Sequence, residues 1–347
     1  MQHTTKLTSA AALALATALP ATAQEETLEL QLAGTYPAAT TMLGPAQERI
    51  ASNIEALSGG TLDVTLYEPG ALLPPSEYFN AISSGALDAA FSDSLHWTGQ
   101  DIAFALFTSV PFGPAAGEYL AWMRQGGGEN LMQEMFAQYD IYATVCSLIS
   151  PEGGGWFREE IESVDDLQGL RFRIGGLGGN VMEKLGVSTQ LLSGGEVLQA
   201  LQLGTIDAAE FSMPAIDASL GFQTVADYYY FPAWQSQSSI SILMIGTEKW
   251  ESLSDNQRNA IDATCAANTL HMLAEGEALQ VEALTQLEED GVQLRRFPDP
   301  VLDALRESWA EVAAEQAESS EWFARVWESY STFRDEYATW GDMGYLD

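Results

Sequence analysis

The arginine best suited to binding an anion lies in Leu170-Arg-Phe-Arg-Ile-Gly175, a segment with the composition of a short strand. Arg171 and Arg173 share one face of that strand because side chains alternate along it. An arginine at the end of a strand that points into a cleft can hold a carboxylate through two parallel hydrogen bonds. Arg173 is therefore a candidate carboxylate clamp. The alternative is a solvated or salt-bridged arginine.

Cations are scarce in this chain, so a well-placed arginine is informative. The sequence has 14 Lys and Arg residues against 49 Asp and Glu, for a formal net charge of -35. This charge repels nucleic acid and anionic lipid, and neither is an expected partner. It is typical of a protein kept soluble in a salty habitat and does not by itself indicate an acidic binding site. An anionic ligand would need a local cation.

Glu210 follows a short apolar strand pattern, and a similar strand earlier in the chain ends in the apolar Phe91. A carboxylate at such a strand end is either a ligand for a metal or hydroxyl group or a structural partner of Arg173. The sequence alone leaves both roles open.

Signatures of known enzymes are missing from the sequence. It contains no G-x-S-x-G, H-E-x-x-H or P-loop pattern. His96 and His271 are the only histidines beyond the first few residues, and no Cys/His cluster suits a metal. These observations favour a protein that is not an enzyme.

Two segments with the same pattern indicate two similarly built halves. Glu77–Phe91 and Glu196–Glu210 match at eight positions with a constant offset of 119 residues. Each segment reads as a helix, a glycine and a buried strand. Because ligands of open α/β sheets bind at the carboxyl ends of strands, both strand ends are expected to face a cleft between the halves.

The order of elements predicts an α/β fold with two lobes, hinge crossovers and a long helix that spans both lobes. The chain opens β-α-β, and a capping box at Ser254–Gln257 begins a helical run. The predicted division is a first lobe of 24–150 plus about 237–270, a second lobe of 151–236 plus about 290–300, a bridging helix of about 255–290 and a helical C-terminal segment of 299–347.

The N-terminus predicts export. Residues 1–23 combine one lysine with a short apolar stretch and a small-residue cleavage site, so cleavage is expected after Ala23, with a periplasmic location. Cys146 and Cys265 could pair in that compartment, although the sequence does not show that they are close. The C-terminal segment is rich in aromatic residues, which indicates packing either within the chain or in a homodimer.

Several segments together resemble the solute receptors of TRAP transporters, and more narrowly their branch that binds 2-oxo acids or lactate with a metal ion. The resemblance covers nearly the whole chain after the N-terminal leader. The segments that carry it are Val110–Gly113, Trp122, Gly126–Gly128, Gly154–Arg158, Leu170–Gly175, Glu210-Phe211 and Ala226–Trp234.

The resemblance implies that Arg173 binds the carboxylate of a small monocarboxylate and that the closed receptor docks on a membrane permease. It also implies a site for Ca²⁺ or Na⁺. The metal-binding branch has a Gln before Gly-Gly-Trp-Phe, a Glu-Trp pair and a third Glu. This chain has Glu152 at the first place, Glu210-Phe211 at the second and Gln235-Ser236-Gln237 near the third. The candidate metal ligands are Glu152, Glu210, Phe211 and Ser236.

The candidate substrate-binding residues extend beyond the clamp to the aromatic walls expected in such a cleft. They are Arg173, Glu152, Phe211, Trp234, Tyr36, His96 and Trp97. Each aromatic residue could instead belong to the core.

Three alternative functions stay open. One is a receptor of the same fold for a dicarboxylate, ectoine or an amino acid without metal. A second is a receptor that serves a sensor kinase. A third is a secreted hydrolase that uses Glu152 and Glu210 as a carboxylate pair.

Overall fold

The computed structural model describes residues 27–149 and 151–345. The predicted leader, 1–23, and its cleavage site lie outside these residues. The strands are β1 Leu28–Gly34, β2 Leu62–Tyr67, β3 Ala89–Ser92, β4 Ile141–Ile149, β5 Gly155–Phe157, β6 Arg171–Arg173, β7 Ser188–Gln190, β8 Ala208–Ala209, β9 Tyr228–Phe231, β10 Ser239–Gly246 and β11 Gln293–Arg296. The α-helices are α1 Leu43–Leu57, α2 Tyr78–Ser83, α3 Ala116–Gln125, α4 Gly128–Ala137, α5 Gly176–Lys184, α6 Gly194–Leu203, α7 Pro214–Leu220, α8 Thr247–Ser252, α9 Asp255–Glu289, α10 Asp299–Ser319 and α11 Glu321–Gly344.

The strands form two mixed sheets, one in each lobe. The first has the order β2-β1-β3-β10-β4, and the second has the order β11-β9-β5-β8-β6-β7. In β1, Leu30 and Leu32 are buried while Glu29 and Gln31 are exposed, as the alternating sequence predicts. The two-lobed α/β fold is thus confirmed.

The repeated segments build equivalent units in the two sheets. The first copy contains α2, Gly85 and β3, and the second contains α6, Gly204 and β8. Both glycines have positive φ, 74° and 66°, a conformation that favours glycine after a helix. The repeat predicted from the sequence is therefore present as structure, and it places Phe91 and Glu210 at corresponding strand ends.

Three stretches of chain pass between the two sheets. One joins β4 to β5, a second joins β9 to β10, and the third runs from β10 through α9 to β11. Helix α9 begins at the predicted capping box, where the backbone N–H of Gln257 donates to Ser254 Oγ at 3.2 Å. Its 35 residues span about 52 Å. It packs on α1 and β4 in the first lobe and on α7 in the second, so the spanning helix is confirmed.

A disulfide joins Cys146 on β4 to Cys265 on α9. Both cysteines are fully buried. The pairing that the sequence left open is therefore present, and it links the sheet of the first lobe to the spanning helix.

The two C-terminal helices pack mainly within the chain. α10 lies against α5 of the second lobe, and α11 lies against α3 and α4 of the first lobe. Trp309, Phe323 and Tyr330 are buried, which accounts for much of the aromatic content of this segment. Trp340 near the end of α11 is 59% exposed. Within the described ranges, no helix has both the length and the apolar character needed to cross a bilayer.

Candidate functional site

A cavity of about 540 Å³ lies between the two lobes. It is lined at the carboxyl ends of strands from both sheets, where a ligand is expected in such folds. The first lobe contributes Tyr36, Asp93 and His96, and the second contributes Arg173 and Glu210. Glu152 lies at the crossover between β4 and β5.

Strand pairing brings Arg173 and Glu210 together. β6 runs parallel to β8, with Arg173 opposite Ala209, so the next residue along the chain is Glu210. The backbone N–H of Glu210 donates to the carbonyl of Arg173 at 2.9 Å. Nη1 of Arg173 lies 3.7 Å from Oε2 of Glu210, and both side chains are less than a tenth exposed. Glu210 is thus an ion-pair partner of Arg173, which is one of the two roles that the sequence left open.

The guanidinium of Arg173 is held by main-chain carbonyls and an aromatic ring. Nε donates to the carbonyl of Leu192 at 3.2 Å, and Nη1 donates to the carbonyl of Glu210. Cζ lies 5.0 Å from the centre of the Phe211 ring, a cation–π distance. Among the described residues Nη2 has no hydrogen-bond acceptor, and Arg173 borders the cavity. The Nη2 edge is therefore the part of the guanidinium that a carboxylate in the cavity can contact.

Glu152 and Glu210 form a pair of buried carboxyl groups beside Arg173. Burial raises the pKa of Glu152 well above its ordinary value, and the charge of Glu210 raises it further. Burial also raises the pKa of Glu210, while the positive charge of Arg173 opposes this shift. Two ionised carboxylates beside one arginine leave a net negative charge, which a bound cation or a proton on one carboxyl group would neutralise.

Asp217 lies behind this pair and is 1% exposed. Its Oδ2 accepts hydrogen bonds from Trp156 Nε1 and from the hydroxyl of Tyr229, both at 2.9 Å. Burial raises the pKa of Asp217 to about 7, although the two donors oppose the shift. Because Tyr229 and Trp156 belong to β9 and β5, Asp217 links α7 to the centre of the second sheet.

The first-lobe wall is formed by Tyr36, Asp93 and His96. The hydroxyl of Tyr36 donates to Oδ2 of Asp93. Burial raises the pKa of Tyr36 well above its ordinary value, and the charge of Asp93 adds to this. Burial lowers the pKa of His96; the charge of Asp93 opposes that shift and the charge of Arg173 adds to it. His96 is therefore neutral at pH 7, and this wall carries negative rather than positive charge.

Two helices of the second lobe begin at the cavity. Gly176 at the start of α5 and Gly194 at the start of α6 both line it. Helix N-termini carry partial positive charge and free N–H groups, which favour an anion nearby. Together with Arg173 they supply the positive charge of the second-lobe wall, which also carries the carboxyl groups of Glu196 and Glu210.

The residues predicted near a third metal ligand lie close to the carboxyl pair. The carbonyl of Ser236 accepts the N–H of Glu152 at 3.3 Å, and the hydroxyl of Ser236 donates to the carbonyl of Ser238 at 3.4 Å. Gln235 Nε2 donates to the carbonyl of Gly153 at 2.7 Å. Gln235 Oε1 is buried without a hydrogen-bond partner in the described part of the chain.

Two aromatic residues predicted as cleft walls belong to the core. Trp97 is 3% exposed and stacks on Phe79 with ring centres 5.4 Å apart. Trp234 is 2% exposed and packs near Phe112 at 6.0 Å. Neither lines the cavity, so for these two the core alternative is the one observed. Tyr36, His96 and Phe211 do line it.

Two polar residues of this region, Asp93 and Asp217, were not among the predicted site residues. Asp93 follows a strand end, but the sequence does not show in which direction its side chain points. Asp217 gave no such signal, because its partners come from elements distant in sequence. Among the described residues, no group of three or more His, Cys, Asp and Glu side chains forms a metal cluster.

Residues 33–320 match the family described as bacterial extracellular solute-binding protein, family 7, or DctP. The chain belongs to this family. It is therefore a periplasmic solute receptor of the TRAP type, a class of binding protein rather than enzyme. The resemblance inferred from the sequence is confirmed.

Two solved DctP-type structures and one curated relative are particularly similar to the chain. The monocarboxylate 2-oxoacid-binding periplasmic protein of Nostoc sp. is 32% identical over 86% of this chain and 82% of its own length. A Bordetella bronchiseptica TRAP solute-binding protein, a dimer with copurified calcium and picolinate, has 31% identity and a TM-score of 0.89 over 92% of this chain and 95% of its own. A Pseudoalteromonas atlantica protein with bound sodium and pyruvate has 30% identity and a TM-score of 0.87 over 92% and 97%.

Proposed function

We propose that this receptor captures a small 2-oxo monocarboxylate, of which pyruvate is the simplest, and delivers it to a TRAP permease. The observation that carries the proposal is the position of Arg173. It is the only Lys or Arg among the described residues that line the cavity, and it is buried with one guanidinium edge left for a ligand. An ion pair formed there is strong because surrounding protein excludes water.

The helix N-termini of α5 and α6 support the same orientation of the ligand. Their partial positive charge lies on the second-lobe wall with Arg173. The carboxylate would bind on this side, and the remainder of the solute would extend toward the first lobe. Closure of the lobes would then bury the solute, and the closed receptor would bind the permease.

The donor groups beside Arg173 fit a Ca²⁺ or Na⁺ ion. Glu152 and Glu210 offer two buried carboxylates, and Gln235 Oε1 is a buried oxygen without a partner in the described residues. Such oxygen donors are those that hard cations prefer. We propose that Glu152, Glu210 and Gln235 hold the ion, with the earlier candidates Phe211 and Ser236 as main-chain donors. The ion would supply the positive charge that the carboxyl pair lacks.

The ligands of the similar structures support this assignment. Calcium with picolinate is bound by the Bordetella protein, and sodium with pyruvate by the Pseudoalteromonas protein. The name of the Nostoc relative specifies monocarboxylate 2-oxo acids. In both solved structures a carboxylate ligand is bound together with a metal ion.

Calorimetry of the purified receptor tests the proposal. Pyruvate should release heat in buffer with Ca²⁺ or Na⁺, and metal analysis after dialysis should find close to one ion per chain. Removal of the ion by a chelator should weaken pyruvate binding, and re-addition should restore it. Heat from ectoine or an amino acid, with no response to carboxylates or metal, would instead support the alternative solutes.

Three finer features complete the proposal. Cleavage after Ala23 is checked by mass spectrometry of the exported protein.

A homodimer through the C-terminal helices is supported by the exposed Trp340 and by the dimer of the Bordetella relative. Light scattering of the wild type and of Trp340→Ala tests this proposal. The predicted capture without catalysis is tested by the recovery of unchanged pyruvate after long incubation.

A further inference from the structure

Asp93 is the charged residue of the first lobe that faces the cavity. It comes directly after β3, so its position at the strand end corresponds to the site residues that follow β8 in the other lobe. It lines the cavity from the first lobe with Tyr36 and His96, whereas Arg173 and Glu210 line it from the second lobe. A solute whose carboxylate binds Arg173 and that extends into the first lobe would therefore approach Asp93.

The carboxylate of Asp93 is held in place by Tyr36. The Tyr36 hydroxyl donates to Oδ2 of Asp93. Tyr36 is itself fixed by Gln47, whose Oε1 accepts the Tyr36 N–H at 3.1 Å and whose Nε2 donates to the Tyr36 carbonyl at 2.7 Å. Tyr36 is 9% exposed. A negatively charged group is thus built into this wall by a fixed chain of hydrogen bonds.

Among the described residues, no Lys or Arg of the first lobe lines the cavity beside this charge. His96, the only basic side chain that lines that wall in the described residues, is neutral because burial disfavours its charged form. Arg173 lies on the opposite wall and is already paired with Glu210. A carboxylate that reached Asp93 would meet a like charge in a site that excludes water, an arrangement that disfavours binding strongly.

We propose that Asp93, held by Tyr36, determines which solutes this receptor accepts: it rejects dicarboxylates and favours monocarboxylates whose far end carries a hydroxyl or other hydrogen-bond donor. The proposal rests on the function proposed above, because it assumes that one carboxylate binds Arg173. The cavity volume of about 540 Å³ leaves room for such a longer solute, since small-molecule pockets measure roughly 300–1,000 Å³.

Three solutes of equal carbon number separate charge from size: 2-oxovalerate, 5-hydroxy-2-oxovalerate and the dicarboxylate 2-oxoglutarate. Calorimetry with Ca²⁺ present should rank the hydroxylated acid first and 2-oxoglutarate last for the wild type. In Asp93→Asn the affinity for 2-oxoglutarate relative to 2-oxovalerate should rise by about tenfold or more, because a like charge is removed. The advantage of the hydroxylated acid should shrink in the same variant.

Two further variants separate the role of Asp93 from general effects. Tyr36→Phe keeps the charge of Asp93 but removes the hydrogen bond that holds it, so the discrimination against 2-oxoglutarate should weaken without disappearing. Asp63→Asn makes the same chemical change on the exposed face of β2, and its ranking of the three solutes should equal that of the wild type. Melting temperatures confirm that each variant is folded.

The outcomes distinguish this proposal from the function on which it rests. If the wild type binds 2-oxovalerate but Asp93→Asn leaves the ranking unchanged, the role of Asp93 is wrong and the monocarboxylate function stands. A wild type that prefers 2-oxoglutarate also overturns the role of Asp93. If the wild type binds none of the three acids and no pyruvate, the proposed function itself fails.

Discussion

Arg173 and Glu210 form an ion pair with 3.7 Å between Nη1 and Oε2, at adjacent ends of two parallel strands. Both side chains are buried, and the attraction between the two charges offsets the cost of removing each of them from water. Because Phe211 covers the guanidinium, the pair is shielded on one side and open to the cavity on the other. The same arginine can therefore serve the fold and the ligand.

Arg173→Ala should abolish carboxylate binding and also destabilise the protein. The substitution leaves Glu210 buried without its cation, which costs about 3–5 kcal/mol. Chemical unfolding measures the stability loss, and calorimetry with pyruvate measures the binding. Wild-type affinity for pyruvate in this variant would contradict the assignment of Arg173.

Arg171→Ala is the matched control, since Arg171 lies on the same strand. Its guanidinium pairs with Asp207, with Nε 2.8 Å from Oδ2, but its side chain is 48% exposed. A solvent-exposed pair contributes little, so both stability and pyruvate affinity should stay close to those of the wild type.

Asp217→Asn should make the stability of the protein less dependent on pH. The pKa of Asp217 is raised to about 7 from its usual 3.8, so the folded chain retains a proton between these pH values that the unfolded chain releases. The wild type therefore loses stability from this group as pH rises from about 4 to 7. The amide keeps an acceptor for Trp156 and Tyr229 but does not ionise.

Unfolding of wild type and Asp217→Asn by urea at several pH values tests this prediction. The free energy of unfolding of the variant should rise relative to that of the wild type across that window, by on the order of 4 kcal/mol for a pKa shift of this size. The difference should be constant above pH 8. A difference that is equal at pH 4 and pH 8 would show that Asp217 is ionised in the fold at both.

Loss of the Cys146–Cys265 disulfide should destabilise the protein by about 2–5 kcal/mol, because the cross-link closes a long loop in the unfolded chain. The double variant Cys146→Ala/Cys265→Ala should unfold at lower guanidinium concentration than the wild type. The wild type treated with reductant is the control, since it lacks the cross-link but keeps both sulfur atoms in the core. Equal midpoints for the oxidised and reduced wild type would contradict this prediction.

Gly153→Ala should disturb the site through packing alone. A Cβ at this position would overlap the ring and hydroxyl of Tyr229. That ring cannot move freely, since it stacks on Trp156 at 4.1 Å and bonds to Asp217. Overpacking of this kind costs about 1–3 kcal/mol. Because Glu152 is the preceding residue, Ca²⁺ and pyruvate should also bind more weakly, as calorimetry would measure.

Gly195→Ala is the corresponding control among glycines that line the cavity. A Cβ there meets no atom within 4 Å, and the position lies in the first turn of α6. Alanine should therefore leave the unfolding midpoint unchanged or raise it slightly. Equal decreases in the unfolding midpoint of the two variants would show that the effect at Gly153 is not steric.

The features predicted best from the sequence depend on short-range patterns. The long helix begins at Ser254 as expected, because a capping box specifies a helix start within four residues. The repeated helix-glycine-strand unit correctly placed Glu210 at a strand end. The pairing of Arg173 with Glu210 then followed from two neighbouring parallel strands. The division of the chain at 150, 237 and 270 stays a prediction.

The features that could not be predicted depend on contacts between distant elements. An aromatic residue in a sequence reveals its apolar character but not the surface on which it packs, so Trp97 and Trp234 could not be separated from Tyr36. Asp217 receives its hydrogen bonds from β5 and β9, 61 and 12 residues away in the chain. Its raised pKa arises only from that assembled environment.

Helix α9 also limits how the receptor can open. Its backbone hydrogen bonds make it a stiff rod of fixed length, and it connects the lobes together with the two strand crossovers and the pair of α10 and α11. At one end the disulfide clamps the rod to β4. With several connections between them, the lobes are expected to part by a hinge motion about these segments rather than by sliding along one another.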